Sequence, residues 1–307
     1  MPRRVLVVLV VACAALLLVP LSGDRFWVQF TGKAMISGIF AVSLDLLVGY
    51  AGLVSLAHAA FFGLAGYLLA GLSNGLGWTS VLLTLPLCLA GVALAALAIG
   101  WLSLRTSGVY FVMVTLAFTE MLFHFFNEAP WFGGSDGVYV AQRPRLGPLD
   151  LGNRSAAYFA IWFCLVAVFA LLYRTVHAPF GRVLAGIRIN EPRMRTLGYA
   201  TTRYKLLAFV GAGMLAGLAG YLDATLYGFV NPSQLGWRQS GLVLVTVLLG
   251  GKGTLYGPLL GTALLAMLEH YGERLTEHWN ALIGLVAIAT VLLLPRGLAG
   301  LSRSGRG

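Results

Sequence analysis

The sequence predicts an all-α fold, a polytopic bundle of transmembrane helices, and three observations support that prediction. Hydrophobic residues make up 59% of the 307 residues and charged residues only 10%, whereas soluble domains carry about 25% charged residues. Mean hydropathy is +0.84. Apolar stretches of the ~20 residues that a helix needs to cross a bilayer recur along the whole length. We therefore predict a single transmembrane domain, residues 1–307.

Nine apolar segments are the candidate spans, each predicted to be helical because backbone polar groups in lipid must bond within their own segment. They are residues 5–21, 34–48, 53–72, 80–104, 108–126, 155–173, 206–228, 240–270 and 279–294. Glycines interrupt segment 240–270, which is expected to be a discontinuous helix pair, either re-entrant or two short crossings. The prediction is eight full spans plus this pair, or 8–10 crossings. Residues 1–33 are expected to hold a retained first helix, not a cleaved signal peptide, and an outer loop.

Basic residues predict the orientation of these spans. Residues 174–205 contain seven Lys or Arg residues and a single acid, Glu191. Because Lys and Arg concentrate on the cytoplasmic side, this segment is placed there. Further basic residues assigned to the same side are Arg3, Arg4, Arg105, Arg296, Arg303 and Arg306. Both termini are therefore predicted to be cytoplasmic. This topology, with contact to anionic membrane lipid, explains the net charge of +10 without a nucleic-acid partner.

Two glycine-rich interruptions are the candidate lining of a translocation path, because broken helices in corresponding halves of a membrane protein often mark one. Residues 49–58 read GYAGLVSLAH and residues 250–258 read GGKGTLYGP. The candidate path residues are Gly49, Gly52, Ser55, His58, Gly250, Gly253 and Thr254, together with Glu120. The alternative interpretation is helix packing without a path, since small residues four apart also let helices approach closely.

Ionisable residues inside the predicted spans are few, and each should face protein or water. They are Asp45, His58, Glu120, His124, Asp223 and Glu269. Glu120 and His124 lie four apart on one helix face, which fits a proton relay, a polar pore lining or a mutually satisfied pair. The histidines and acids form no metal-ligand pattern, and no nucleophile–base set stands out. Lys252 lacks the spacing of a phosphate loop. We therefore expect no metal site, no enzymatic activity and no ATP site on this chain.

Segment 174–205 also has the pattern of a short helix. Asn190 or Glu191 can cap it, Pro192 fits its first turn and Gly198 can end it. A helix lying across the membrane face suits docking to a cytoplasmic partner. Plain anchoring to anionic lipid is the alternative.

A series of motifs resembles the permeases of branched-chain amino-acid ABC importers, the LivH/LivM family, and is most similar to its LivM branch. The motifs are GYAGLVSLAHAAFFG at 49–63, TLAF at 115–118, GGSDG at 133–137, IRINE at 187–191, LGY at 197–199, RYKL at 203–206, AGLAG at 216–220, NPS at 231–233, LGGKGT at 249–254 and PRGL at 295–298. The resemblance covers residues 34–301. Each motif alone is modest, and their joint order makes the resemblance specific.

The resemblance implies the transport subunit of an ABC importer in a bacterial inner membrane, working by alternating access. It implies a second, related permease in a heterodimer, two ABC ATPases that hold ATP and Mg, and an extracytoplasmic solute-binding protein. Segment 174–205 would be the coupling loop seated on an ATPase. Its implied coupling residues are Arg188, Asn190, Glu191, Pro192, Arg193 and Gly198. Pro192 and Arg193 stand where the family usually has alanines. The residues expected to meet the binding protein are Gly133, Gly134, Ser135 and Asp136.

The solutes that the resemblance favours are leucine, isoleucine and valine. Urea, short amides and other amino acids are alternatives, because relatives of the family carry them. Selection in such a system rests with the binding protein, so the sequence does not name the solute. Outside the ABC class, the alternatives are an ion-coupled secondary carrier, with Asp45, Glu120 and Asp223 as its acids, and a passive channel.

Overall fold

A computed structural model describes residues 3–22, 24–147, 149–275, 278–293 and 297–301. Over these residues the chain is almost entirely helical, as predicted, with four strands of two residues each. The helices are α1 Arg3–Leu18, α2 Arg25–Asp45, α3 His58–Leu76, α4 Val81–Ser103, α5 Val109–Glu128, α6 Arg154–His177, α7 Pro179–Ile189, α8 Glu191–Thr196, α9 Thr201–Tyr227, α10 Trp237–Gly250, α11 Tyr256–Leu275, α12 Trp279–Leu293 and α13 Leu298–Leu301. The strands are β1 Val138–Tyr139, β2 Arg145–Leu146, β3 Leu149–Asp150 and β4 Phe229–Val230.

Six of the described helices are long and apolar enough to cross a membrane. They are Arg25–Ala51, His58–Leu76, Val81–Ser103, Val109–Glu128, Arg154–His177 and Thr201–Tyr227. The first and last predicted spans form shorter helices, of 16 residues in α1 and 15 residues in α12. The chain is thus a membrane-spanning helical bundle, while the count of eight full spans stays a prediction. The discontinuous pair predicted at 240–270 is confirmed, because α10 and α11 are separated by residues 251–255.

The second span begins nine residues earlier than the predicted 34–48. Asp24 caps α2, since its carboxylate accepts a hydrogen bond from the backbone N–H of Phe26 at 3.0 Å. The prediction that Lys33 lies in an outer loop is therefore wrong, because Lys33 is inside α2. A helix can begin among aromatic and charged residues when a side chain satisfies its first free N–H groups.

The helices run between two ends of the bundle, which can be identified from contacts. At the break end, Asp45 contacts Gly253, and a Cβ on Gly297 would lie 2.5 Å from the nitrogen of Gly251. At the sheet end, β1 pairs with β4, and the Asn74 amide bonds the backbone of Tyr139. Within the described chain, ten helices (α1 to α6 and α9 to α12) alternate in direction between these ends. Residues 296 and 302–307, with three of the basic residues used for orientation, lie outside the described part.

Small residues bring the central helices together. Helix α9 packs between α3 and α4, and a Cβ on Gly220 would lie 1.8 Å from the carbonyl oxygen of Phe62. Gly217 and Gly213 face Val92 and Ala96 of α4 in the same way. Such close approach increases van der Waals contact, which drives helix association where lipid removes the hydrophobic driving force.

Candidate functional site at the junction of two helix breaks

The first helix break follows α2. A π-helical turn, Leu46–Ala51, continues α2, and Gly52 ends it in the left-handed conformation, with φ of +71°. Residues 52–57 are not helical, and α3 begins at His58. The predicted third span, 53–72, thus begins five residues too early. π-Helical turns are frequent at functional sites, which makes this break the first part of a candidate site.

Hydroxyl side chains from two other helices satisfy the backbone of the first break. The N–H of Leu56 donates to Thr115 Oγ1 at 3.2 Å, and its carbonyl accepts from Thr119 Oγ1 at 2.9 Å and from Ser240 Oγ at 2.5 Å. Ser240 Oγ also accepts from the N–H of Ala59 at 2.9 Å. Irregular backbone at membrane depth is tolerated only where protein or water satisfies it.

The sequence reasoning missed these three hydroxyl residues. The available signal was the spacing of Thr115 and Thr119, four apart on one face of α5. Nothing local indicates that Ser240 lies beside them.

The second break, residues 251–255, is held by the carboxylate of Asp45. Asp45 Oδ1 accepts from the N–H of Gly253 at 2.6 Å, and Oδ2 accepts from the N–H of Leu255 at 3.2 Å. Leu255 has a φ of +59°, a strained conformation for a bulky residue. Asp45 itself is fully buried. Its carboxylate therefore takes the place of the helical partners that these N–H groups lack.

The two breaks are in direct contact. A Cβ on Gly49 would lie 2.3 Å from Asp45 Oδ1 and 2.5 Å from the nitrogen of Gly253. Across the second break, a Cβ on Gly250 would lie 2.0 Å from the carbonyl oxygen of Gly257. Only glycine fits this approach of backbone to backbone. The two glycine-rich segments thus meet at one junction, and their part in a translocation path stays a prediction.

Arg188 connects this junction to segment 174–205. Helix α7 buries Val183, Leu184 and Ile187, and Arg188 follows in its last turn. The Arg188 guanidinium donates a hydrogen bond to the Gly49 carbonyl inside the π-helical turn. A Cβ on Gly253 would lie 3.6 Å from Arg188 Nη1, so the same side chain reaches both breaks.

The short helix predicted after Arg188 is present as α8. Asn190 caps it by accepting from the N–H of Arg193 at 3.0 Å, and Pro192 lies in its first turn. Gly198 follows the helix with a φ of +87°, the conformation expected of a helix terminator. Met194 packs over Gly186 of α7, where a Cβ would lie 2.8 Å from the Met194 sulfur.

Glu191 ties α8 to the start of α9. Its carboxylate accepts from Arg195 Nη2 at 2.7 Å, from Thr201 Oγ1 at 3.1 Å and from the Lys205 ammonium. Partial burial raises the pKa of Glu191, but the hydrogen bonds from Lys205 and Arg195 outweigh burial and hold that pKa below its usual range. Glu191 is therefore ionised at neutral pH, and its interactions are internal to the segment.

The outer face of this segment is exposed and partly apolar. Ile189 is 86% exposed and Leu197 is 65% exposed, on either side of α8, while Pro192 and Arg193 are exposed between them. Exposed apolar residues beside a cation are typical of a surface that meets another protein.

The remaining path candidates lie in different surroundings. Ser55 Oγ accepts from the N–H of Ala57 at 3.2 Å, inside the first break. Thr254 Oγ1 bonds the backbone of the second break at Gly251 and Gly257. His58 is fully buried beside the Phe40 ring, and neither ring nitrogen has a hydrogen bond of ordinary geometry within the described chain.

Of the three interpretations of Glu120 and His124, the structure does not support the mutually satisfied pair, because each residue has another partner among the described residues. Glu120 Oε1 instead accepts from the N–H of Trp237 at 3.3 Å, at the first residue of α10. His124 Nδ1 lies 3.9 Å from Glu128 Oε1, one turn further along α5. A residue in a helix can pair four positions before or after itself, or with a neighbouring helix. Glu120 bonds the first residue of α10, and His124 pairs four positions further on, with Glu128.

The outer-loop candidates form a tight turn at the sheet end. Gly133 and Gly134 have φ of +78° and +55°, and Ser135 Oγ lies 3.5 Å from Asp136 Oδ1. A Cβ on Gly137 would lie 2.4 Å from the carbonyl oxygen of Val230, so the turn is packed against β4. Contact of this turn with a binding protein stays a prediction.

Comparison with known families matches residues 26–293 to a family described as the branched-chain amino acid transport system permease component. The chain belongs to this permease family. The permease is 29% identical over 311 residues to the high-affinity branched-chain amino acid transport system permease protein LivM of Salmonella typhimurium, covering 92% of this chain and 72% of the relative. The LivM protein of Escherichia coli matches equally, at 29% over the same lengths.

A second group of relatives has a different solute in its name. The autoinducer 2 import system permease protein LsrC of an Enterobacter species is 33% identical over 190 residues, covering 57% of this chain and 53% of the relative. No solved structure matches the permease. The resemblance to permeases of this family is thus confirmed. The names of its relatives give two different solutes, branched-chain amino acids and autoinducer 2.

Replacing Asp45 with alanine is expected to destabilise the permease by about 2–6 kcal/mol, because two buried N–H groups lose their acceptor at about 1–3 kcal/mol each. The measurement is thermal unfolding of the detergent-purified permease. Asp136→Ala, an exposed acid in the outer turn, is the control and should unfold like the wild type. Equal unfolding of the two variants would contradict the role of Asp45 at the junction.

Proposed function

We propose that this chain is the permease subunit of an ATP-driven ABC importer in a bacterial inner membrane, most suited to branched-chain amino acids. One observation carries the proposal: Arg188, immediately before the exposed helix α8, bonds the Gly49 carbonyl where the two helix breaks meet. A force on α8 therefore has a short, hydrogen-bonded route to the interior of the bundle.

The mechanism follows from that connection. Two partner ATPases bind ATP and Mg and close, and α8 is the element on which they act. Because Glu191 ties α8 to Lys205 of α9, movement of α8 is transmitted to a central helix as well as to the breaks. The two breaks are candidates for the elements that switch between two arrangements. Their backbone is held by a few side-chain hydrogen bonds and not by continuous helix. Alternating access results when both permeases of the pair change together.

The orientation follows from charge. The break end carries segment 174–205 with seven basic residues and one acid, so we assign it to the cytoplasm. The alternating direction of ten described helices supports the proposal that both termini are cytoplasmic. The sheet end, with Gly133 to Asp136, would face the solute-binding protein. Hydrolysis of ATP belongs to the partners, and this chain acts as the non-enzymatic transport subunit.

The solute is proposed from the relatives. The two LivM proteins carry branched-chain amino acid transport in their names and match 92% of this chain. The LsrC proteins match only 57% of it, which is why branched-chain amino acids are favoured. Autoinducer 2, urea and short amides are the alternatives that the transport assay must include.

The decisive experiment is gentle detergent purification of the permease from its native membrane, followed by mass spectrometry and reconstitution into liposomes. We expect an ATPase with a phosphate loop and a second, related permease to co-purify. Uptake of leucine in the presence of the binding protein should then require ATP. Recovery of this chain alone, with uptake intact in liposomes without ATP, would instead identify an ion-coupled carrier or a channel.

A further inference from the structure

A cleft near the sheet end combines charged, polar and apolar walls. It lies between α2, α10 and α11 and has a volume of about 200 Å³. Lys33 of α2 and Glu269 of α11 both line the cleft, with Lys33 Nζ 3.9 Å from Glu269 Oε2. The apolar part of the lining includes Leu242, Val243 and Leu265.

The Lys33–Glu269 pair is not explained by stability. Its side chains are 59% and 26% exposed, and ion pairs of that exposure contribute little to folding. Lys33 lies inside a membrane-spanning helix, where a charged side chain is costly and usually marks a solute or ion pathway. The Glu269 carboxylate is the acid that faces the Lys33 ammonium in the cleft.

We propose that this cleft binds the zwitterion of an aliphatic α-amino acid during its passage through the permease. The solute carboxylate meets the Lys33 ammonium, and the solute ammonium meets the Glu269 carboxylate. Its side chain lies against the apolar wall of Leu242, Val243 and Leu265. The proposal rests on the importer function above and assigns the solute class proposed there to one site. Small-molecule sites are usually lined by apolar side chains with a small number of polar groups among them.

Charge complementarity favours a zwitterion over a neutral solute. Opening the ion pair leaves one cation and one anion, and a zwitterion supplies the opposite charge to each. A sugar-like or amide solute supplies neither, so both charges would lose their partner without full compensation.

The test uses the complete complex of permeases and ATPases in lipid nanodiscs, without the binding protein, and three probes. The probes are L-leucine, its amide, which lacks the carboxylate, and 4-methylpentanoate, which lacks the ammonium. Lys33→Gln should weaken L-leucine binding about tenfold or more, as expected for loss of one charged hydrogen bond. The same variant should not weaken leucinamide binding. Glu269→Gln should weaken L-leucine binding and should not weaken 4-methylpentanoate binding.

Arg145→Gln is the matched control, because Arg145 pairs with Asp150 at 3.5 Å in the outer loop. It should change none of the three affinities. A variant that weakens all probes alike, or none, would overturn the proposal, as would a wild-type complex with no saturable L-leucine binding or with preference for a neutral solute. ATP-dependent uptake by the same preparation is measured separately, so the importer function can stand while the cleft assignment fails.

Discussion

Glu191→Arg is expected to stop solute uptake while the permease remains in the membrane. The substitution removes the acceptor of three hydrogen bonds and puts a cation against Arg195 and Lys205. Hydrogen bonds to charged groups contribute about 1.5–3 kcal/mol each, so α8 should lose its position on α9, and uptake should fall at least about tenfold. Insertion should be unchanged, because Glu191 lies in α8, outside the six membrane-spanning helices, and of those helices it bonds only the first residues of α9.

The measurement is ATP-dependent leucine uptake normalised to permease in the membrane fraction. Glu128→Arg is the matched control, since Glu128 has a side chain 78% exposed at the sheet end. An exchange variant, Glu191→Lys with Lys205→Glu, should recover part of the uptake, because it restores one opposite-charge pair. Normal uptake by Glu191→Arg would refute the assignment of α8 as the coupling element.

The structure gives Glu191 a different role from the one that the family resemblance implies. The family resemblance predicts that Glu191 is a docking residue, whereas its carboxylate bonds Arg195, Thr201 and Lys205 within the same segment. Glu191 is thus expected to position α8, and the exposed Ile189 and Leu197 are better candidates for contact with a partner.

Gly49→Ala should produce the largest loss of stability. The added methyl group would lie 2.3 Å from Asp45 Oδ1 and 2.5 Å from the Gly253 nitrogen, so it must push the two breaks apart. Overpacking costs about 1–3 kcal/mol, and displacing the Asp45 carboxylate from its N–H donors adds about 1–3 kcal/mol for each bond lost. We expect a sharply lower unfolding temperature and no uptake.

Gly211→Ala provides the matched comparison for this substitution. Gly211 also lies in a membrane-spanning helix, α9, but a Cβ there meets no atom within 4 Å. Because alanine is the better helix former by about 0.8–1 kcal/mol, this variant should be as stable as the wild type or more so. Both variants are measured by thermal unfolding in detergent, and similar curves for the two would contradict close contact of the breaks.

The sequence by itself determined the local features of this permease. Apolar length and composition predict the helices, the glycine clusters predict both breaks, and the order Asn190, Glu191, Pro192 predicts where α8 begins. These features depend on residues within one or two helical turns of each other, so a linear pattern contains their cause.

Tertiary structure alone decided which groups complete the site. Asp45 bonds the break some 208 residues away, and Ser240 bonds a carbonyl some 184 residues away. Arg188 could have pointed to lipid or solvent, and instead reaches Gly49. Lys33 and Glu269 meet only because α2 packs against α11. Backbone groups freed by a helix break need a hydrogen-bond partner. That partner is the polar side chain that helix packing brings within reach, and it can come from any part of the chain. The sequence around the break therefore contains no pattern that identifies it.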